Sequence, residues 1–458
     1  MGQRDTKVKG FIYFAAISTS LTTFSTGVCF VWTSPIIPKF QSEDVELNPI
    51  GRPVTITESA WIVAAMTLGL MIGPILAVLA LRFSTKKTVL LLAVGPILFG
   101  HITCIFANKA NLFIFARILM GIGSGAVWSV LGTFIAEIAE NKNRGFLGSF
   151  PGIASNIGSL SVYVIGPYTK IWQFSIVQIV PIILFCMTFG FLVPDSPYDL
   201  IVRGKSDLAE KSLKKLRQTD KVGKELLFVQ ETVQRGNECK IQFAELIKDR
   251  GFRKGLTIST TLMIFQQLTG ILAVVSYAET IFRLAGDFIP PSISPMILGV
   301  VATTSQLISS KLIDKMGRKM LFSGACISEA ISLFALGFYF FRLNHGLDVS
   351  AISWVPIASL AIFMFSFNSG LGNIPWIVTG EIFSSKVKPI ASTITALSNF
   401  IVSFLIVICF PYMIEYFGMG PTFWFFGSCM VLGAIVCIWL LPETKGKSFL
   451  EIQDLLKN

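Results

Sequence analysis

Charge is scarce in this sequence. Only 14% of its 458 residues are Asp, Glu, Lys or Arg, 53% are hydrophobic, and the mean hydropathy is +0.68. An ordinary soluble protein is about a quarter charged, so a water-soluble globular domain is excluded. Histidine is nearly absent, with only His101 and His345. No nucleophile or metal-ligating constellation can be assembled, so no enzyme, metal or cofactor is expected. Of the eight cysteines, Cys239 alone lies outside the apolar runs, which excludes a disulfide framework. No Asn-x-Ser/Thr sequon occurs, so N-glycosylation is not expected. No cleavable signal peptide is expected, because the first apolar run is too long for one. The fit of residues 2–6 (GQRDT) to the loose myristoylation pattern is read as chance.

What is present is apolar length. Twelve runs stand out, at about 11–38, 59–81, 88–107, 112–136, 146–167, 174–193, 255–280, 288–310, 320–341, 351–380, 389–414 and 421–441. Each is near the roughly 20 residues that cross a bilayer as a helix. Inside them the ionised residues are Arg117, Glu329 and, one residue from the end of its run, Glu279. With the N-terminus inside, 31 of the 38 Lys and Arg fall on the cytoplasmic side and six on the other. That bias predicts a multi-pass protein of the cell membrane with both termini cytoplasmic. The net charge of +11 follows from this topology and gives no reason to expect nucleic acid.

The expected fold class is therefore an all-α membrane protein, with twelve transmembrane helices in two six-helix, pseudo-symmetric halves. The boundaries are read as 1–193 for the first half, 194–254 for a cytoplasmic helical loop, 255–441 for the second half and 442–458 for a cytoplasmic tail. In the loop, SDLAEKSLKKLR predicts an amphipathic helix with Ser206 as N-cap and Leu208, Leu213 and Leu216 on one face.

The halves echo each other. EIAENKNRG after the fourth run places Glu137 seven residues before Arg144, and EIFSSKVKP after the tenth places Glu381 seven before Lys388. LRFSTKK after the second run corresponds to IDKMGRK after the eighth. Such recurrence reads as duplication, and transporters built this way bind substrate near the midplane between the repeats.

The side-by-side Gln266 and Gln267 sit in an apolar helix. A buried glutamine can be glue between helices, or it can face a cavity and meet hydroxyls, which like the amide both donate and accept. The two point about 100° apart, so both are not expected to serve one helix contact. Trp376 follows a Gly/Pro-rich break, GLGNIP; it is read as lining a cavity, the alternative being an interfacial belt residue. Glu329 lies about 14 Å into its run and is read as a paired or water-contacting structural acid rather than a proton site. Arg117 is read as a brace within the bundle.

With QQLTG (266–270), DKMGRK (314–319), GNIPW (372–376), PDSP (194–197) and PETKGKS (442–448) in this order, the chain resembles the sugar porters of the major facilitator superfamily. WTSP (32–35) and RGFLGSFPGIASNIG (144–158) turn the resemblance toward the insect facilitated trehalose transporter-like group. The resemblance implies that Gln266, Gln267 and Asn399 reach sugar hydroxyls, that Trp376 stacks on the ring, and that Phe367 lines the cavity. It implies a gate of Glu137, Arg144, Asp314, Arg318, Glu381 and Lys388 whose charges bridge the halves when the inside is shut. It also exposes departures. Gly152, Leu272, Ala302, Asn368 and Asn373 stand where the family has glutamine, asparagine, asparagine, glutamate and proline; STKK replaces GRK; and Tyr198 replaces an arginine.

The expected function is facilitative transport of a hexose or trehalose by alternating access without ion coupling. A proton-coupled symporter and a non-transporting sugar sensor are the alternatives. The expected partners are a small sugar and the lipid bilayer, and the chain is expected to act as a monomer.

Overall fold

A computed structural model describes residues 10–140, 142–237, 249–286, 288–383, 387–447 and 451–452, excluding the side chains of residues 235–237, 310, 311, 314 and 389. The described chain is helical. The first helix is Gly10–Val31 continued by Thr33–Phe40; the second to sixth are Ile56–Phe83, Lys86–Phe106, Ala110–Ile138, Arg144–Ile165 and Ile171–Leu192. The seventh comes in three pieces, Arg250–Leu268, Ile271–Ser276 and Ala278–Ala285. The eighth and ninth are Ser294–Met316 and Arg318–Asn344. The tenth is Val355–Ser366, a π-helical turn Phe367–Leu371, and Ile374–Ile382; the eleventh and twelfth are Lys388–Phe417 and Met419–Leu440.

Local chemistry sets these boundaries. Thr55 and Glu58 form a capping box at the head of the second helix: the Glu58 N–H donates to Thr55 Oγ1 at 3.2 Å, and the Thr55 N–H to Glu58 Oε2 at 2.9 Å. Such caps contribute about 1 kcal/mol. The seventh helix breaks because Gly270 takes φ +77°, the left-handed region that favours glycine. Thr269 covers the break: its hydroxyl donates to the Gln266 carbonyl at 2.8 Å and accepts the Ile271 N–H at 3.1 Å.

The first six helices pack with one another, and so do the last six. Second and fourth helices touch backbone to backbone: a Cβ on Gly69 would lie 2.2 Å from the Ile118 carbonyl oxygen. Small residues are how membrane helices come this close. Among the described residues, ten helices are long and apolar enough to cross a membrane by length and composition. The eighth is apolar over its described part, Ser294–Ser309, and the 22-residue fifth is the less apolar one. The fifth and eighth face each other across the seam between the halves.

Hydrogen bonds join the halves only from mid-depth to the end away from the termini, among the described residues. Tyr412 Oη donates to Thr57 Oγ1 (2.9 Å), Tyr163 Oη to the Val275 carbonyl (3.3 Å), and the Glu279 N–H to Ser34 Oγ (3.2 Å). Trp61 and Phe404 add a ring contact at 6.1 Å.

Between the halves run the short helices Pro197–Val202, Ser206–Arg217 and Gly223–Asn237. Ser206 is the first helical residue of the middle one and not its N-cap; Lys205 holds the cap position without a side-chain bond. The buried face is Ala209, Ser212, Leu213 and Leu216, while Leu208 is exposed. Arg217 pins this segment to the first half, donating to the Ile138 carbonyl at 2.7 Å while pairing with Glu225 at 2.7 Å. Cys239 lies outside the described residues.

Candidate functional site

The broken tenth helix organises the middle of the molecule. Its π-helical turn leaves the Leu371 and Gly372 carbonyls without ordinary helical donors, and the Gln266 amide supplies them. Gln266 Nε2 donates to both, at 2.8 and 2.9 Å. Asn399 on the eleventh helix then ties the pair together. Its Nδ2 donates to Gln266 Oε1 at 2.8 Å, and its Oδ1 accepts from Gln267 Nε2 at 2.9 Å. The expectation that two adjacent glutamines would not serve one helix contact is overturned: they converge on a single asparagine, because the long side chains swing through the angle that separates their Cα positions.

The two glutamines differ in what they have left. Gln266 is 3% exposed and uses both donor hydrogens and its oxygen within the protein. Gln267 is half-buried, and its Oε1 has no protein partner among the described residues. Phe367 opens the π turn, half-buried, with its ring beside Gly372; a Cβ there would lie 3.1 Å from Phe367 Cε1. Trp376 lies in the helix after the break and is 44% exposed. Its ring is free to meet a ligand or lipid. Leu272 is partly buried against the core.

A second set of amides lies on the other side of the break. Asn373 Nδ2 donates to the Asn368 carbonyl (2.8 Å), Ser309 Oγ (3.0 Å) and Gln306 Oε1 (3.5 Å). Asn156 on the fifth helix reaches across the seam, its Nδ2 donating to the Ala302 carbonyl (3.3 Å) and Asn368 Oδ1 (3.5 Å). Gln306 belongs to no quoted motif, Asn156 lies in the RGFLGSFPGIASNIG run without being singled out there, and sequence reasoning missed both. The available signal was the amide itself, inside a membrane-crossing run.

Near the terminus end, each half carries a compact charge cluster. Arg318 pairs with Glu381 at 2.7 Å, and Thr444 Oγ1 donates to Glu381 Oε2 at 2.6 Å. In the first half, Lys86 pairs with Glu137 at 2.9 Å and Asp199 at 2.5 Å, and Ser196 Oγ donates to Glu137 Oε2 at 2.5 Å. Lys86 thus stands where Arg318 stands, and Ser196 where Thr444 does. The altered STKK loop therefore still supplies its base. The comparison of LRFSTKK with IDKMGRK contained this signal, since Lys86 and Arg318 occupy the same position in the two loops. Both ion pairs lie within a half. Arg144 is exposed and without an ion pair among the described residues, and Lys388 Nζ donates to the Gly380 carbonyl at 3.2 Å. The Asp314 side chain lies outside the described residues. Glu443 accepts the Arg318 and Lys319 N–H groups at 3.0 and 3.2 Å. Burial opposes its charge, but these backbone donors and that of Lys445 outweigh burial and hold its carboxyl below the ordinary pKa.

Arg117 and Glu329 have separate fates. Arg117 is buried and braces three helices, donating to the Cys29 carbonyl (2.6 Å) and the Ile62 carbonyl (3.3 Å) from the fourth. Glu329 is fully buried, and neither carboxyl oxygen has a partner among the described residues. Of the two forms expected for Glu329, paired or water-contacting, the paired one has no partner among the described residues.

Comparison with known proteins places this geometry. The family model described as "Sugar (and other) transporter" matches residues 8–456. The facilitated trehalose transporter Tret1 of Culex quinquefasciatus is 32% identical over 442 residues, covering 96% of this chain and 84% of that protein. The protein of the same name from Aedes aegypti is also 32% identical, but the chain spans 54% of its length. Among solved structures, the partially occluded inward-open conformation of the xylose transporter XylE from E. coli has a TM-score of 0.80 at 24% identity, covering 96% of this chain and all of that one. The fold is that of the major facilitator superfamily, and the chain belongs to the family of sugar (and other) transporters.

Proposed function

We propose that this protein carries a neutral sugar, a hexose or trehalose, down its gradient by rocking its two halves about a site beside the tenth-helix break. The observation that carries the reading is the amide network of Gln266, Gln267 and Asn399 around the Leu371 and Gly372 carbonyls. It offers donors and acceptors without net charge, as a polyhydroxyl ligand requires. Gln267, with an unused oxygen, contacts the sugar; Gln266, fully engaged, is a positioning residue that holds the break. Trp376 supplies an aromatic face and Phe367 part of the wall. The names of the insect relatives support trehalose as one candidate substrate.

The contacts between the halves favour a state open at the terminus end, which the Lys and Arg bias assigns to the cytoplasm. Glu137, Arg144, Asp314, Arg318, Glu381 and Lys388, joined by Lys86, form the gate. Closing it redistributes ion pairs that are now internal to each half. Single exposed pairs contribute about 0–1 kcal/mol, so several together bias the equilibrium by a few kcal/mol.

Uncoupled transport is supported by the first helix, where a proton-coupled member of the family carries an aspartate. Residues 11–38 contain no acid, base or histidine, and the buried hydroxyls of Thr19, Ser20, Thr22 and Thr23 donate to carbonyls of their own helix. Uptake of radiolabelled glucose, fructose and trehalose into expressing cells, with and without a protonophore, tests the reading. At least one sugar is expected to enter with unchanged kinetics in the protonophore. Uncoupler-sensitive accumulation, abolished by Glu329→Gln, would replace it with the symporter.

A further inference from the structure

The outer surface of the second half carries a long groove where the ninth and twelfth helices pack side by side. Two cavities of about 360 and 460 Å³ join there, since Ile327 and Ile438 line both. Ala330 and Ala434 are buried and make the floor; Ile327, Ile331 and Ile438 are exposed and make the rims. The groove runs along the ninth helix from Phe334 to Lys319. At 1.5 Å per residue that is about 22 Å. One leaflet with its headgroup layer is about 20–22 Å, half of a bilayer.

The two ends of the groove differ. The Phe334 end is lined by apolar side chains alone. The other end, which the Lys and Arg bias assigns to the cytoplasm, holds Lys319, Gly324 and Glu443. Lys319 is half-buried, and its Nζ has no acceptor among the described residues. Glu443 makes no ion pair with it there; its oxygens accept the Arg318, Lys319 and Lys445 N–H groups at 3.0, 3.2 and 2.9 Å. Lys445 stands at the same corner, its Nζ donating to the Lys315 carbonyl at 2.6 Å. Two lysines thus share the corner with one carboxylate. Lys319 also lies in the first turn of its helix, whose positive end favours an anion. Bulk lipid covers any apolar face of a membrane helix. A groove one leaflet long, with a free cation at its headgroup end, selects among lipids.

We propose that this groove binds an anionic phospholipid of the cytoplasmic leaflet, with its phosphate on Lys319 and one acyl chain laid over Ala330 and Ala434 toward Phe334. The site is separate from the amide networks and does not rest on the sugar-carrier reading.

The test is photolabelling of the purified full chain in phosphatidylcholine vesicles doped with phosphatidylserine that carries a diazirine on one acyl chain. Adducts are expected to concentrate on residues 324–334 and 431–438. Lys319→Gln should lower them about fivefold, the share of one lysine at an anionic surface, and Lys319→Arg should keep them. Gly324→Phe should abolish them. A Cβ on Gly324 meets nothing within 4 Å, so the ring enters the groove without displacing the helix. The same diazirine on phosphatidylcholine should label this groove weakly and ignore Lys319→Gln. Adducts spread evenly over the lipid-facing helices, or unmoved by either Lys319→Gln or Gly324→Phe, overturn the site and leave bulk lipid only. A groove that takes no label, in a protein that cross-links to itself through Ile331→Cys, gives the face to a second copy and overturns the proposal equally.

Discussion

The two halves agree at their terminus ends and differ at their centres. Each end has a base on a Glu of the fourth or tenth helix, and a hydroxyl from the following motif on that same Glu: Lys86, Glu137 and Ser196 in one, Arg318, Glu381 and Thr444 in the other. At mid-depth the symmetry is gone. The second half has a seventh helix broken at Gly270, a tenth broken at Phe367–Leu371, and the amides that satisfy the second break. In the first half the corresponding buried hydroxyls bond within their own helix. On the proposed function, the carrier has its gate in both halves and its ligand chemistry largely in one.

The largest effect is expected where the asymmetry is greatest. Gln267→Ala should lower sugar uptake more than tenfold at normal surface expression, since it removes a hydroxyl partner and the tie to Asn399. Normal uptake would show that the second-half amides are scaffold and that the comparison has no functional content. Trp376→Ala comes next, at about three- to tenfold in KM, as expected for loss of one aromatic face. Unchanged KM would assign that ring to lipid.

The charge clusters test the shared part. Glu381→Lys sets a like charge against Arg318, and Glu137→Lys sets one against Lys86. Each should shift accessibility labelling toward the inward-open state by a few-fold, and by similar amounts. No change at either face would remove the gate, and a change in one half alone would break the symmetry argument. The smallest effect belongs to the hydroxyls: Ser196→Ala and Thr444→Ala should each lower thermal stability by about 1 kcal/mol, read from matched unfolding curves.

Much of this was legible from residues. The apolar runs gave the helices, because hydrocarbon leaves backbone groups no partner outside a helix. The recurring loops gave the halves. GLGNIP marked the tenth-helix break, since a proline is a local requirement, whereas the seventh run was read as continuous and its break at Gly270 came from the structure. Asn156 and Gln306 were not legible: they matter because two helices of different halves pack together, and no local pattern encodes that pairing. Lys86 was hidden by the same habit of reading, because a motif comparison notes a missing arginine and does not ask which neighbour carries the charge. The convergence of Gln266 and Gln267 on Asn399 depends on side-chain reach, which helix geometry alone does not fix.

The central claim is an uncoupled sugar carrier whose ligand meets the second-half amides. Purified protein in liposomes, given labelled glucose or trehalose under an imposed proton gradient, tests it most directly. The account predicts that the internal sugar rises to the external concentration and stops there, with or without the gradient, and that Gln267→Ala slows the approach more than tenfold. Accumulation above the external level, or entry at the wild-type rate in the variant, would contradict it.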